Sequence, residues 1–578
     1  MTFSCLGIGI ESSRSIAIGE AYLLHQGQLE ITPTFVDKAQ IPDEVDRFRQ
    51  ALAGARRALR AVRKKIPDDT RSDILAFIDT HLLMLDDAAL SEAPIEHIRE
   101  QRCSAEWALQ IQCDSLTGVF DAMEDPYLRT RKDDVEHVVA QIQKTLLQHG
   151  DESGEDLRGR IVLAHNLTPA DTILLRHQGV AGFVTEFGGP MSHTAILARS
   201  LDIPTVLGVY QATRCLQQGE PLVVDGERGV VLASVDDGTL SHYQSRMRAA
   251  QEHATTLRTL VGKAAQSLDG ETFRLTVNIE LPEDIDATRK LQADGVGLYR
   301  TESLFMNRSE PPDEEEHFAA YRQVVEGLNG LPITIRTLDL GADKQIDGSA
   351  VQPASSNPAL GLRAIRLCLK ETGLFIPQLR AILRVAALGP VRMMIPMLSN
   401  LREVSKLKGL IEETRQTLQR EGFAFDPQIP LGGMIEVPAA ALAADAFARE
   451  LDFLSIGTND LVQYTLAVDR VDDEVNYLYD PLHPSVLQLI QGVIDAGRRQ
   501  HIPVSMCGEM AGDPRYIPLL IGMGLQEFSM QPGALLEAKQ TIRSLRAEPL
   551  REQVHSLMSQ IHQPGIEQRL AEICQHRH

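Results

Sequence analysis

Hydrophobic and polar positions change rhythm several times along the 578 residues of the chain. Between residues 4 and 25 small and apolar residues alternate (GIGI, then SIAIGEAYLL), the period-two pattern of strands. From about 40 to 148 glycine nearly disappears and a helical period takes over. The stretch VDRFRQALAGARRALRAVRKKI, for example, has apolar residues at i, i+3, i+4 and i+7. DESGED at 151–156 interrupts that pattern, and short apolar runs follow: RIVLAHN, GVAGFVTE, TVLGV and PLVVDGERGVVLA. The order predicts an α/β domain over 1–25 and 149–235, interrupted by a helical subdomain over 26–148. A polar helical stretch over 237–265 suits a linker, bounded here as 236–265.

Beyond residue 270 a strand–helix rhythm repeats. RLTVNIE, GVGLYRTE, PITIRTLD, VRMMIPML, LGGMIEVP, FLSIGTND, VSMCGEM and QEFSMQP are eight short apolar runs with helical segments between most of them. Eight such units across roughly 300 residues predict a TIM (β/α)8 barrel over 266–578. The fold class is therefore α/β, with an interrupted α/β domain, a linker helix and a barrel. In a TIM barrel the chemistry sits where the strands end. The polar residues fall there: Asn278, Glu280, Arg300, Glu302, Arg336, Asp339, Glu436, Asn459, Asp460, Cys507 and Glu509. A purely structural barrel has no need of polar residues at nearly every strand end.

Composition narrows the chemistry. A net charge of −22 argues against nucleic acid and anionic membrane as general partners. A site for an anion must then be a local basic cluster built against the overall field. Seven scattered cysteines without a CxxC pair read as reduced thiols of an intracellular chain. The opening MTFSCLGIGIESSRS lacks a basic region and a long apolar run, and no stretch reaches the length of a membrane span, so a cytoplasmic location is expected.

Arg300, Arg336 and Arg363, with Arg470 further along, offer cationic forks suited to phosphate and carboxylate. Glu436 and Asp460 end consecutive strands and supply the hard oxygen ligands by which Mg²⁺ is held. Cys507 reads either as a small buried hydrophobe or as an acid or nucleophile facing a substrate. A second chemistry stands at GGPMSHTAILARSLDIPTVLG, residues 188–208, where a glycine loop runs into a helix through His193. Such a junction presents backbone N–H groups to an anion. His193 reads there either as a packing residue or as one that meets or carries a phosphate.

Taken together, GGPMSHTAILARSLDIPTVLG, GVGLYRTESLFMNR, TIRTLDLGADK, NPALGLRAIR, IEVPAA, SIGTNDLVQYTLAVDR and MCGEMAGD resemble the Enzyme I family of the bacterial phosphotransferase system. This family belongs to the phosphoenolpyruvate-utilizing enzymes, and the match runs in order along essentially the whole chain. The resemblance implies a phosphoenolpyruvate–protein phosphotransferase that moves phosphate onto a histidine and then to the carrier protein HPr, the first step of sugar uptake. It also implies dependence on Mg²⁺ and a homodimer formed through the barrel.

Residue by residue, the resemblance implies that His193 is phosphorylated at Nε2 and that Thr172 orients it. Arg300, Arg336, Arg363 and Arg470 would bind phosphoenolpyruvate. Glu436 and Asp460 would hold Mg²⁺, Asn459 would bind the substrate phosphate beside them, and Cys507 would protonate the enolate. The helical subdomain would dock HPr around His81, Leu82 and Leu85, an apolar patch rimmed by Asp73, Asp79, Asp86 and Asp87. Pro190 and Met191 stand where the family has Arg-Thr, Ser-Ser-Arg-Ser at 12–15 where it has Ser-Pro-Gly, Ala342 for a glycine and Leu362 for a tryptophan. These departures bear on the choice of carrier. The alternatives are the nitrogen-type regulatory branch, acting on an HPr paralogue, and a non-catalytic phosphoenolpyruvate sensor.

Overall fold

A computed structural model describes all residues except 1, 11–14, 25–30, 66–71, 122–125, 148–155, 168–170, 173–174, 177, 190–193, 196–197, 199–202, 283, 306–309, 341–356, 471, 473, 564 and 575–578. The chain divides into two compact units, Met1–Glu252 and His253–His578.

The first unit is built on eight strands: β1 (Phe3–Leu6), β2 (Ile8–Ile10), β3 (Ile16–Leu23), β4 (Ile161–Ala164), β5 (Gly182–Thr185), β6 (Thr205–Leu207), β7 (Pro221–Asp225) and β8 (Val230–Ala233). Their order is β1-β8-β7-β3-β4-β5-β6-β2. Pairing from β3 through β6 is parallel and the remaining pairs are antiparallel. The central strands are buried on both faces, which is why they read as continuous apolar runs. Ile161 and Leu163 enter one core, Val162 and Ala164 the other.

The two edge strands, β1 and β2, are separated by Gly7 alone, so the sheet must roll until its edges meet there. Gly7 N–H donates to the Gly229 carbonyl at 2.9 Å. A Cβ on Gly229, whose φ is +66°, would fall 2.3 Å from the Gly7 carbonyl oxygen. Only glycine fits so close a backbone approach in the left-handed region.

Among the described residues between β3 and β4 run α1 (Ile41–Lys65), α2 (Ser72–Asp86), α3 (Ala88–Ser91), α4 (Ala93–Gln101), α5 (Ala105–Asp121) and α6 (Pro126–Leu146). Their shared core includes Phe48, Ile78, Leu85, Ile98, Leu109, Val138 and Ile142. The helical phase of α2 corrects one expectation. Leu85 is fully buried and Leu82 packs against the same core, whereas Leu83 is 71% exposed, next to exposed Asp79, Asp86 and Asp87. Ile78, Leu82 and Leu85 form the i, i+4, i+7 stripe that a helix turns inward. His81 is buried as well.

The polar stretch expected to be helical to 265 stops earlier, as Asp237–Arg258. Turns follow, with Thr259 N–H and Oγ1 both donating to the Thr256 carbonyl and Gly262 at φ +77°. Residues 265–266 then form a short strand, β9 (Ala265–Gln266). Among the described residues no helix is long and apolar enough to cross a membrane.

The second unit is the predicted barrel. Its strands are β10 (Thr272–Ile279), β11 (Val296–Tyr299), β12 (Ile333–Arg336), β13 (Val391–Ile395), β14 (Leu431–Ile435), β15 (Phe453–Ile456), β16 (Val504–Met506) and β17 (Glu527–Met530). Each pairs in parallel with the next, and β10 closes the ring by pairing with both β11 and β17. The antiparallel β9 adds to β10 outside the ring. Helices surround it and bury one extended core against the strands. Local signals bound them. Asn400 and Glu403 form a capping box that opens Leu401–Glu421, and Gly422 at φ +80° ends that helix.

The single tryptophan, Trp107, packs at the edge of the helical core and reports on it. Phe48→Ala removes a fully buried ring from that core. It is expected to lower stability by about 3–5 kcal/mol, read as an earlier denaturant midpoint of Trp107 fluorescence. Leu83→Ala, on the exposed face, is expected to shift it by no more than about 0.5 kcal/mol.

Candidate active site

The strand ends of the barrel surround a cavity of about 1000 Å³. Asn278, Arg300, Glu302, Arg336, Asp339, Arg363, Glu436, Asn459, Asp460, Arg470 and Cys507 line it. Every barrel residue expected from the sequence to belong to a site is thus brought to one mouth. Below them a small apolar cluster of Leu298, Met394, Met434, Phe453 and Cys507 fills the barrel interior.

Arg336, the last residue of β12, is the most deeply buried of the four arginines at this mouth. It donates from one nitrogen to Glu302 Oε1 at 3.0 Å and meets Asp339 Oδ2 at 3.1 Å from another. Burial pulls its pKa down, but Glu302, Asp339 and Glu436 outweigh that and hold the guanidinium charged. Glu302 Oε1 also accepts from Asp339 N–H at 3.0 Å, which fixes the turn after β12. Arg363 reaches the other oxygen of Asp339 at 2.9 Å and approaches the Tyr464 hydroxyl at 3.4 Å. Tyr464 in turn donates to the Ala359 carbonyl at 2.6 Å. Arg300 pairs with Glu280. Arg470 donates its backbone N–H to Gln463 Oε1 at 3.3 Å.

Glu436 follows β14 and accepts from the Met397 N–H at 2.6 Å. A side chain at Gly457 would press its Cβ to 2.8 Å from Glu436 Oε2, so glycine there leaves room for the carboxylate. Burial first, and then Asp339 and Asp460, push the Glu436 carboxyl well above the usual carboxylate range. Asp460 is raised for the same reasons, burial ahead of Asp339, with Arg363 and Arg470 acting in the opposite direction. Asp339, Glu436 and Asp460 each offer an oxygen, and these oxygens lie within 4.8 Å of one another. Carboxylates gathered so closely repel, and a hard divalent cation is the partner that suits three of them. The sequence marks Asp339 as a rim residue and gives it no metal role. Its signal was its place at a strand end; its membership in the trio depends on a fold that brings position 339 to 436 and 460.

Cys507 ends β16 with its sulfur accepting from the Ser455 hydroxyl at 3.4 Å. Gly508 lets the chain pass Thr458, whose Oγ1 would lie 1.8 Å from a Cβ at that position. Burial raises the Cys507 thiol, so the proton stays on sulfur near neutral pH. Asn278 Nδ2 donates to the Cys507 carbonyl at 3.1 Å and Ser529 Oγ donates to Asn278 Oδ1 at 2.6 Å, holding the cysteine's backbone against β10. Asn459 and Glu509 exchange two hydrogen bonds of 2.9 Å, side chain to side chain and backbone to side chain.

Gln378 supports the mouth from behind and carried no sequence signal. It is fully buried, accepts from Leu338 N–H at 2.9 Å and donates to Thr301 and the Tyr321 hydroxyl at 3.0 Å each. Thr301 donates onward to the Arg336 carbonyl at 3.0 Å. In the first unit Thr172 is fully buried, and Thr194 donates to the Leu167 carbonyl at 2.8 Å. His193, Pro190 and Met191 lie outside the described residues.

Three segments match known families: residues 8–131 match PEP-utilising enzyme, N-terminal; 157–229 match PEP-utilising enzyme, mobile domain; and 254–547 match PEP-utilising enzyme, PEP-binding domain. Proteins named phosphoenolpyruvate-protein phosphotransferase align along nearly the whole chain. The one from Cupriavidus necator is 46% identical, covering 94% of this chain and 96% of its own. The one from Bacillus sp. (strain S) is 40% identical over 93% of each chain, and that of Staphylococcus carnosus 38% over 94% and 95%. With all three segments in order and this identity sustained end to end, the chain belongs to the phosphoenolpyruvate-protein phosphotransferase family of PEP-utilising enzymes.

Proposed function

We propose that this protein transfers the phosphoryl group of phosphoenolpyruvate to His193 and from there to a small phosphocarrier of the HPr type. The observation that carries the reading is the single barrel mouth in which four arginines, three close carboxylates and a buried thiol converge. Among the described lining residues eight carboxyls stand against those four arginines. A polyanionic substrate needs that excess offset. Asp339, Glu436 and Asp460 fit Mg²⁺, which when bound would neutralise phosphoryl oxygens. Mg²⁺ affinity should rise with pH, because the raised Glu436 and Asp460 carboxyls must first lose their protons.

In this reading Arg300, Arg336, Arg363 and Arg470 bind and orient the phosphate and carboxylate of the substrate, with Asn459 beside the metal ligands. Phosphoryl transfer passes through a loose transition state, so positioning and fixed charge do most of the work. The phosphoryl group leaves the enol oxygen for a nitrogen of His193, and the enolate takes its proton at carbon from Cys507. Thr172 orients the imidazole. The carrier docks on the helices of the first unit, where α2 presents Leu83 among Asp79, Asp86 and Asp87. An apolar residue ringed by acids suits a basic carrier face and makes association salt-sensitive. The active species is a homodimer formed through the barrel, and the phosphate serves sugar uptake.

Labelled phosphoenolpyruvate tests the core of this reading. Wild-type protein should acquire acid-labile label and pass it to an HPr-type carrier. His193→Ala should acquire none yet still bind phosphoenolpyruvate by calorimetry; undiminished label on that variant would refute the assignment. Cys507→Ala should form pyruvate about 10²–10⁴-fold more slowly with KM little changed. Wild-type turnover would mean the thiol only packs. For the metal, calorimetric titration of the full chain should show Mg²⁺ affinity climbing as pH rises above the ordinary carboxylate pKa of about 4. Glu436→Gln should abolish most of the binding, and a flat pH profile would exclude the carboxylate trio as the site.

A further inference from the structure

In the first unit, a second cluster of ligand-type side chains lies inside the helical section. His81 projects from α2, and Asp134 and His137 from α6. Asp134 and His137 are three residues apart and so share a helix face, which they turn toward α2. His81 is 4% exposed, Asp134 is 1% exposed and His137 is half-buried. One ligand atom from each lies within 4.8 Å of the others, and the two imidazole rings are 6.4 Å apart.

The spacing of one pair is informative. His81 Nε2 and Asp134 Oδ1 stand 3.6 Å apart. A direct N–H···O bond draws such atoms to about 2.9 Å. Two ligands on one tetrahedral zinc, each at about 2.0–2.1 Å, stand roughly 3.3 Å apart. The observed distance is nearer the second value. The donor set points the same way: two imidazoles and one carboxylate favour Zn²⁺ and its neighbours over Mg²⁺ or Ca²⁺, whose sites are built from oxygen.

We infer that His81, Asp134 and His137 form a binding site for a divalent transition-metal ion, best suited to Zn²⁺, which clamps α2 to α6. Among the described residues no fourth ligand joins these three, and a water would complete the tetrahedron. The site is separate from the barrel carboxylates in both place and ligand chemistry, and it does not depend on the reaction proposed for them.

Co²⁺ provides a visible probe. Tag-free full-length protein is stripped with a chelator and titrated with Co²⁺ in excess Mg²⁺, which occupies oxygen-only sites. One equivalent should bind, with the visible d–d bands of a four-coordinate nitrogen–oxygen site. Stoichiometric Zn²⁺ should displace it, and bound metal should raise the unfolding temperature read by Trp107. His137→Asn should lose both the bands and the thermal shift while keeping its helical circular dichroism. Absence of d–d bands in the folded wild-type protein would overturn the site, and that titration needs no variant. A near-ultraviolet thiolate band, placing Co²⁺ on cysteine, would overturn it equally, as would a His137→Asn titration that matches wild type.

Discussion

A guanidinium withdrawn from water sets the terms at the barrel mouth. Burying Arg336 is tolerable only because Glu302 and Asp339 lie against it at hydrogen-bond distance. Each of those carboxylates then carries an obligation of its own. Glu302 also ties down the Asp339 backbone, and Asp339 draws Arg363 inward. Asp339 further crowds Glu436 and Asp460, which burial already makes reluctant to ionise. The arrangement is a chain of compensations that ends in surplus negative charge. In the proposed reading that surplus is what recruits Mg²⁺, and the cation in turn makes the cavity hospitable to a phosphate ester. Arg336 and Arg363 are pre-positioned by the same acids, so little reorganisation of these two is left for the substrate to drive.

Much of this was legible in the sequence because a TIM barrel converts strand order into site geometry. A polar residue closing an apolar run must emerge at the mouth, so Arg300, Arg336, Glu436, Asp460 and Cys507 could be assembled from eight short segments. What periodicity cannot supply is which of those residues touch. Asp339 belongs with Glu436 and Asp460 only because β12, β14 and β15 curve around one axis. Gln378 and Tyr464 sit on surrounding helices, where nothing in their local sequence separates a supporting residue from an ordinary one.

The helical section shows the opposite failure. From sequence the apolar stripe of α2 suggests a surface for a partner, yet that stripe is the helix's claim on its own core. Leu83, one position out of phase, is the residue left facing outward. Amphipathic pattern identifies the buried face reliably and is silent about which exposed apolar residue has a use. The end of the helix at Arg258 has a similar origin. Helical composition continued past it, but the turn at Thr259 and the left-handed Gly262 prevailed.

The strands flanking the helical section, β3 and β4, are neighbours in the rolled sheet, with Ala21 opposite Ile161 and Leu23 opposite Leu163. The chain therefore leaves the sheet and returns to it one strand-spacing away, after a run of helices with a core of their own. Such a segment is a cassette. Its ends are already held together by the host, so its contents can change in length or surface without altering the register of a single sheet hydrogen bond. In the proposed reading, evolution can thus redraw the docking face of the helices while the sheet that carries them is inherited intact, and the identity of the carrier can drift independently of the chemistry.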